Sequence, residues 1–226
     1  MKPKFKYGIE VPRTWEDVIC IDTPNGNTAW QDAVKKEMDC MKDFSVFKDI
    51  GNGVKVPDGF KNICVHMIYD VKHDGRHRAR FVADGHLTDI PSDSVYSGVV
   101  SLRGFRMLLF LAELNGLETW GTDISSIYLE AYTKEKLTII AGPEFGKSQG
   151  HTLVINKALY GLRPSGLCWH EKLALILKKM EFFPYRVEPD IWIREKNNQY
   201  EYITVYVDGL AIAAANPKEI TDTLEK

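Results

Sequence analysis

The chain has 226 residues, 44% of them apolar and 27% charged, enough for one large domain or two small ones around a hydrophobic core. Its formal net charge of −2 excludes a globally basic nucleic-acid binder, so any grip on a polyanion must be local. The amino-terminal MKPKFKYGIEVPRTW lacks the apolar segment of a secretory signal, and the longest apolar run, 107–112, falls far short of the ~18 residues that span a bilayer.

Taken in chain order, residues 1–27 are rich in Pro, Gly and charge and predict an extended lead-in. Thr28 is placed to cap a helix. Trp30, Ala33, Val34, Glu37, Met38 and Met41 then follow the i, i+3, i+4, i+7 spacing of an amphipathic helix. Gly51, Gly53, Pro57 and Gly59 predict a loop over 49–60. Two β-rich runs flank Asp74-Gly75, a dipeptide suited to a tight hairpin turn. The same stretch concentrates basic side chains, with Lys72, Arg76, Arg78, Arg80, His73, His77 and, at its end, His86. Residues 101–115 are apolar and free of Pro, and predict a buried helix ending near Gly116. LETWGTDISSIYLEAY begins as a strand and turns helical after Asp123. LTIIAG is a short strand, and TLVINKALYGLRPSG is a strand running into a turn. Ser165 is placed to cap a helix over 167–182. YEYITVYVDGLAIAAA reads as two strands around Asp208-Gly209, and Asn216-Pro217 opens a last helix. Strands and helices do not alternate as βαβα, so the expected class is α+β, an antiparallel sheet packed against helices. Cys20, Cys40, Cys64 and Cys168 are too scattered for a zinc site or a disulfide framework, and predict reduced thiols in an intracellular protein, with cytoplasm, nucleus and organelle all open.

Four places could carry chemistry. Asp123 ends a strand, where a carboxylate can reach a metal ion, although Asp is equally a good helix N-cap before Ser125 and Ser126. Asp208 lies between two apolar runs. Asp-Gly is a favoured turn, yet a carboxylate on a buried hairpin is costly unless it is solvated, paired or bound to metal. If the two met in space they would suit Mg²⁺, which takes one or two carboxylates together with phosphate oxygens. The third place is ALYGLRPSGLCW, where Gly161 permits close backbone approach and Arg163 offers a planar fork for phosphate, against the plainer reading of a loop before a helix. Arg78 and Arg80 offer the same phosphate chemistry, or else are solvated hairpin charges.

In order along the chain, these segments resemble the reverse transcriptase domain of copia-type retrotransposons. TAWQDAVKKEMDCM looks like the family's Trp-x-x-Ala-x-x-x-Glu opening, and HRARFVADGH like its Lys-Ala-Arg-Leu-Val-Ala segment. TDISSIYLEAY resembles polymerase motif A, LYGLRPSGLCW motif B, and VYVDGLAIAA motif C, Tyr-Val-Asp-Asp-Leu. The likeness covers residues 28–226 and implies one domain of fingers and palm with no thumb. It implies that Asp123 and Asp208 hold Mg²⁺ and are catalytic, and that Tyr128 is the steric gate against a ribose 2′-hydroxyl. Arg78 and Arg80 would neutralise the triphosphate, and Tyr160, Gly161 and Arg163 would shape the nucleotide pocket. The implied partners are an RNA or DNA template-primer and dNTPs.

Departures from the family pattern bear on activity. Gly209 stands where motif C has its second aspartate. Gly166 replaces a proline, Pro164 a glutamine, and Asp84 a common lysine. Gly209 at such a turn is free to adopt φ > 0, so an aspartate there is expected to be resisted by the backbone. Two readings follow: an inactive or impaired RNA-directed DNA polymerase domain, or a domesticated, non-catalytic protein that keeps the fold as a scaffold or a subunit of a larger assembly.

Overall fold

The computed structural model describes residues 3–85, 88, 95 and 97–224. The chain divides into two compact units, one formed by Met1–Asp93 and Tyr128–Ser165 and the other by Ser94–Ile127 and Gly166–Lys226. Antiparallel sheets and helices give a mixed α+β architecture.

The first unit opens differently from expectation. In place of an extended lead-in, β1 (Lys4–Lys6) pairs antiparallel with β2 (Ile9–Val11), and α1 spans Trp15–Asn25. A capping box starts α1: the Thr14 hydroxyl accepts from the Asp17 N–H, and the Asp17 carboxylate accepts from the Thr14 N–H. The Thr-x-x-Asp signal was present, but Pro24 inside the helix and the lack of an apolar stripe masked it. Helix α2 (Ala29–Asp43) buries Trp30, Val34 and Met41, as its periodicity requires. Thr28 flanks it without capping it. The cap comes instead from α1: buried Asp22 accepts from the N–H groups of Trp30 (3.2 Å) and Gln31 (3.0 Å). A carboxylate suits the positive end of a helix.

Strands β5 (Val65–Val71) and β6 (His77–Ala83) form the expected hairpin about Asp74-Gly75. Trp30 packs edge-on to Tyr69, and a core of Val34, Val71 and Ala79 ties α2 to this hairpin. A second sheet runs β3 (Phe47–Asn52), β9 (His151–Ile155), β8 (Leu137–Ile140), β4 (Lys61–Asn62), with β4 parallel to β8. The region read as a loop over 49–60 therefore begins as strand, bulged between Asp49 and Gly51. Met41, Phe81, Ile139, Leu153 and Leu159 fill the core beneath that sheet.

The second unit is an antiparallel sheet in the order β10 (Phe183–Pro184), β11 (Ile191–Lys196), β12 (Gln199–Tyr206), β13 (Gly209–Ala214), β7 (Glu118–Asp123). Ile203, Thr204 and Val205 in β12 are all buried, which explains a continuous apolar run rather than alternation. On one face, Leu108 and Ala112 of α3 (Leu102–Leu114) pack against Tyr202 and Ala213. Helix α3 is not the buried helix its composition predicts: Leu102, Phe110 and Leu114 are 64%, 63% and 68% exposed. Helix α5 (Ser165–Lys179) buries Trp169, Leu173 and Leu177. Ser165 is its first residue, and its hydroxyl donates to the Leu159 carbonyl (2.6 Å) instead of capping. Helix α6 (Pro217–Leu224) starts at Pro217 as the Asn-Pro signal requires. All four cysteines are free thiols, and no helix among the described residues is long and apolar enough to cross a membrane.

Candidate active site

In the second unit, β7 lies beside β13 so that Asp123 stands directly opposite Gly209. One residue back, the Asp208 carbonyl accepts from the Ile124 N–H at 2.9 Å. The two aspartates are thus neighbours across one antiparallel pair. Both are exposed, and no hydrogen bond or ion pair to either carboxylate occurs among the described residues. Asp208 is solvated at the tip while the strands behind it are buried, so desolvation does not force a partner on it.

The hairpin loop is Val207-Asp208, two residues between Tyr206 and Gly209. Its positive φ falls on Val207, at 57°, and not on Gly209. This corrects the expectation for Gly209. A Cβ there would lie 3.4 Å from the Tyr206 carbonyl oxygen, an ordinary contact, so an aspartate fits the backbone as it stands. Val207 carries the unusual conformation instead, and a β-branched residue in that region is a true outlier. The Trp169 Nε1–H donates to the Val207 carbonyl at 2.9 Å. Beside the pair, a cleft of about 590 Å³ is lined by Phe105, Leu108, Thr204, Tyr206, Asp123 and Gly209 among others.

The first unit assembles the other expected residues. The Arg80 guanidinium sits 3.7 Å from the centre of the Tyr160 ring, and Tyr128 meets Tyr160 edge-on at 4.8 Å. Burial pushes the Tyr160 hydroxyl pKa up, with Arg80 opposing. Arg78 stands across the β5–β6 ladder from Asp70. The segments carrying Arg80 and Tyr160 are joined by backbone: Val82 bridges Tyr160, and the Ala83 N–H donates to the Tyr160 carbonyl at 2.8 Å. This explains Gly161, whose φ is 92° and at which a Cβ would strike the Ala83 carbonyl. Arg163 is half-buried and its Nε–H donates to the Gly85 carbonyl at 3.2 Å, so it braces the same junction. Asp84, the departure from lysine, pairs with His66 Nδ1 at 3.0 Å. His86 lies outside the described residues.

Sequence reasoning missed two roles here. Glu37 was read only as a helix position, yet its carboxylate accepts from the Phe81 N–H at 3.0 Å, burial pushes its pKa up, and Arg80 and Arg78 pull it back. Its signal was the glutamate of the Trp-x-x-Ala-x-x-x-Glu segment. Trp169 was read only as part of motif B, and nothing in the sequence marks Val207 at all.

The sequence profile of the family described as "Reverse transcriptase (RNA-dependent DNA polymerase)" matches residues 48–226. The chain belongs to that family. It is 33% identical over 167 residues, 70% of its length, to the Transposon Ty1-BL Gag-Pol polyprotein of Saccharomyces cerevisiae. It is 34% identical over 169 residues to the Ty1-LR2 Gag-Pol polyprotein of the same yeast. It is 24% identical over 190 residues, 80% of its length, to the Retrovirus-related Pol polyprotein from transposon TNT 1-94 of Nicotiana tabacum. The reverse transcriptase domain is thus of the copia retrotransposon type. The chain spans 9% of the length of the first two relatives and 14% of the tobacco one.

Proposed function

We propose that the chain builds an RNA-directed DNA polymerase site whose activity is impaired because one metal-binding carboxylate is missing. The observation that carries this reading is the register: Gly209, where the family has aspartate, lies directly opposite Asp123. Facing residues in an antiparallel pair have Cβ atoms ~4.5–5.5 Å apart. An aspartate at 209 would therefore add its charge beside that of Asp123, and glycine leaves that place blank.

Mg²⁺ fits Asp123 and Asp208 in donor chemistry, since both carboxylates are exposed and, among the described residues, unpartnered. The fit is incomplete, because no cluster of three metal-binding side chains occurs among the described residues. When bound, Mg²⁺ supplies charge neutralisation to the triphosphate and to the primer-terminal oxygen. The protein's own part is positioning. Arg80, stacked on Tyr160, offers the planar N–H fork that suits phosphate, and Arg78 lies two residues away on the same strand. Tyr128 serves as the gate against a 2′-hydroxyl. We read the second unit as the palm and the β5–β6 hairpin as fingers. The second reading, a non-catalytic scaffold, is favoured by the same Gly209.

Primer extension on a primed RNA template separates them. Each ~1.4 kcal/mol of lost transition-state stabilisation costs tenfold in rate. The unmodified chain is expected to extend barely or not at all. Gly209→Asp is expected to fold normally and to bind Mg²⁺ at least severalfold tighter by calorimetry, with measurable extension. Robust extension by the unmodified chain, abolished by Asp123→Ala, would show that two carboxylates suffice. No gain in Mg²⁺ affinity from Gly209→Asp would hand the case to the scaffold.

A further inference from the structure

We propose that Trp169 is a positioning residue for Asp208: its indole N–H holds the strained Val207 peptide, and so fixes where the Asp208 carboxylate points. The consequence for metal binding rests on the reading of Asp208 given above, whereas the positioning itself does not.

The two-residue loop has positive φ at its first position and not at its second, the pattern of a type II′ turn, for which glycine is preferred at the first position. Val207 occupies that position at φ 57°. The left-handed region is costly for any residue with a Cβ, and more so for a β-branched one. Such a conformation persists only where the surroundings over-determine it. Val207 is 39% exposed, so packing encloses its side chain only in part. Polar contacts hold the loop on both sides. The Val207 carbonyl accepts from the Trp169 Nε1–H at 2.9 Å, and the Asp208 carbonyl accepts from the Ile124 N–H at 2.9 Å. Asp208 therefore sits between two anchored peptides. One anchor comes from α5, the helix of motif B, and the other from the chain just after Asp123 in motif A. Trp169 is 4% exposed, so the indole is itself immobilised by packing and its N–H has a fixed direction. The bond also gives a buried indole donor the partner it needs.

The test is amide hydrogen exchange by NMR on the full chain. Trp169→Phe keeps most of the ring and removes the donor. It is expected to speed exchange of the Ile124 N–H at least tenfold. The Val205 N–H, bonded to the Asp190 carbonyl at 3.0 Å, is expected to change less than twofold. Adding Val207→Gly, which takes positive φ without help, is expected to restore Ile124 to within twofold of the unmodified chain. A packing role for Trp169 would not produce that rescue. If Ile124 is unaffected by Trp169→Phe, or if glycine at 207 rescues nothing, the proposal is overturned. Should Trp169→Phe fail to fold, the double variant decides: a folded, protected double variant supports the proposal, and an unfolded one makes Trp169 a packing residue only. Mn²⁺ is the functional probe. Paramagnetic broadening at Asp123 and Asp208 is expected to need at least fivefold more Mn²⁺ in Trp169→Phe. If the unmodified chain shows no broadening while the exchange and rescue pattern holds, positioning stands and the metal-site reading falls.

Discussion

Glu37 shows how one side chain links helix packing to the basic hairpin. It reaches from α2 to accept the Phe81 N–H, and so stands beside Arg80 and Arg78. Burial disfavours its charge more than the backbone bond and the two arginines favour it, so its pKa in the fold lies above the ordinary 4.5. The sign for stability follows. A raised folded pKa contributes stability that is fully present below the unfolded value and is lost as pH rises through the folded one. Glu37→Gln keeps a carbonyl acceptor for Phe81 and removes the titration. Between about pH 4 and 7, the urea midpoint of Glu37→Gln minus that of the unmodified chain is expected to grow with pH. A constant difference would mean that the Phe81 bond and the arginines balance burial, and a shrinking one that they outweigh it.

Asp22 does at the scale of elements what Thr28 was expected to do. It lies within α1 but terminates the open N–H groups of α2, joining two helices through one buried carboxylate. Replacing it leaves two backbone donors and the Gln31 side chain, bonded at 3.3 Å, without their acceptor. Asp22→Ala is expected to cost about 1–3 kcal/mol in urea denaturation. Asp32→Ala, at an exposed position in the first turn of α2, is expected to cost far less. Equal losses would show that α2 needs no cap from α1. The register of β7 against β13 is the other decisive relation between elements, since it sets which residue of motif C faces Asp123.

Across the whole molecule, the net charge of −2 leaves nucleic-acid affinity to local groups. Leu102, Phe110 and Leu114 project from α3 into solvent. Clustered exposed apolar side chains favour self-association. The triple change Leu102→Gln, Phe110→Gln, Leu114→Gln is expected to lower light scattering at high protein concentration while leaving the thermal midpoint almost unchanged. A drop of several degrees in that midpoint would mean the face is packed in solution.

Much of this protein was legible in its residues. The α2 periodicity, the Asp74-Gly75 hairpin, the two strands on either side of Asp208 and the Asn-Pro helix start depend on neighbours a few positions apart, where local sterics and hydrogen bonding decide. The order of the motif segments by itself points to the reverse transcriptase family. Other features needed distant parts of the chain to meet. Helix α1 was hidden by Pro24, and α3 looked buried because composition reports apolarity but not what covers it. The conformation of Gly209 was misjudged because Asp-Gly suggests positive φ at the glycine. The loop register, set by β12 pairing with β13, puts it on Val207 instead. The hydrogen bond from Trp169 spans 38 residues, and Asp22 caps a helix from another helix. Such long-range relations leave no local pattern, because they are created by packing, and packing depends on the whole fold.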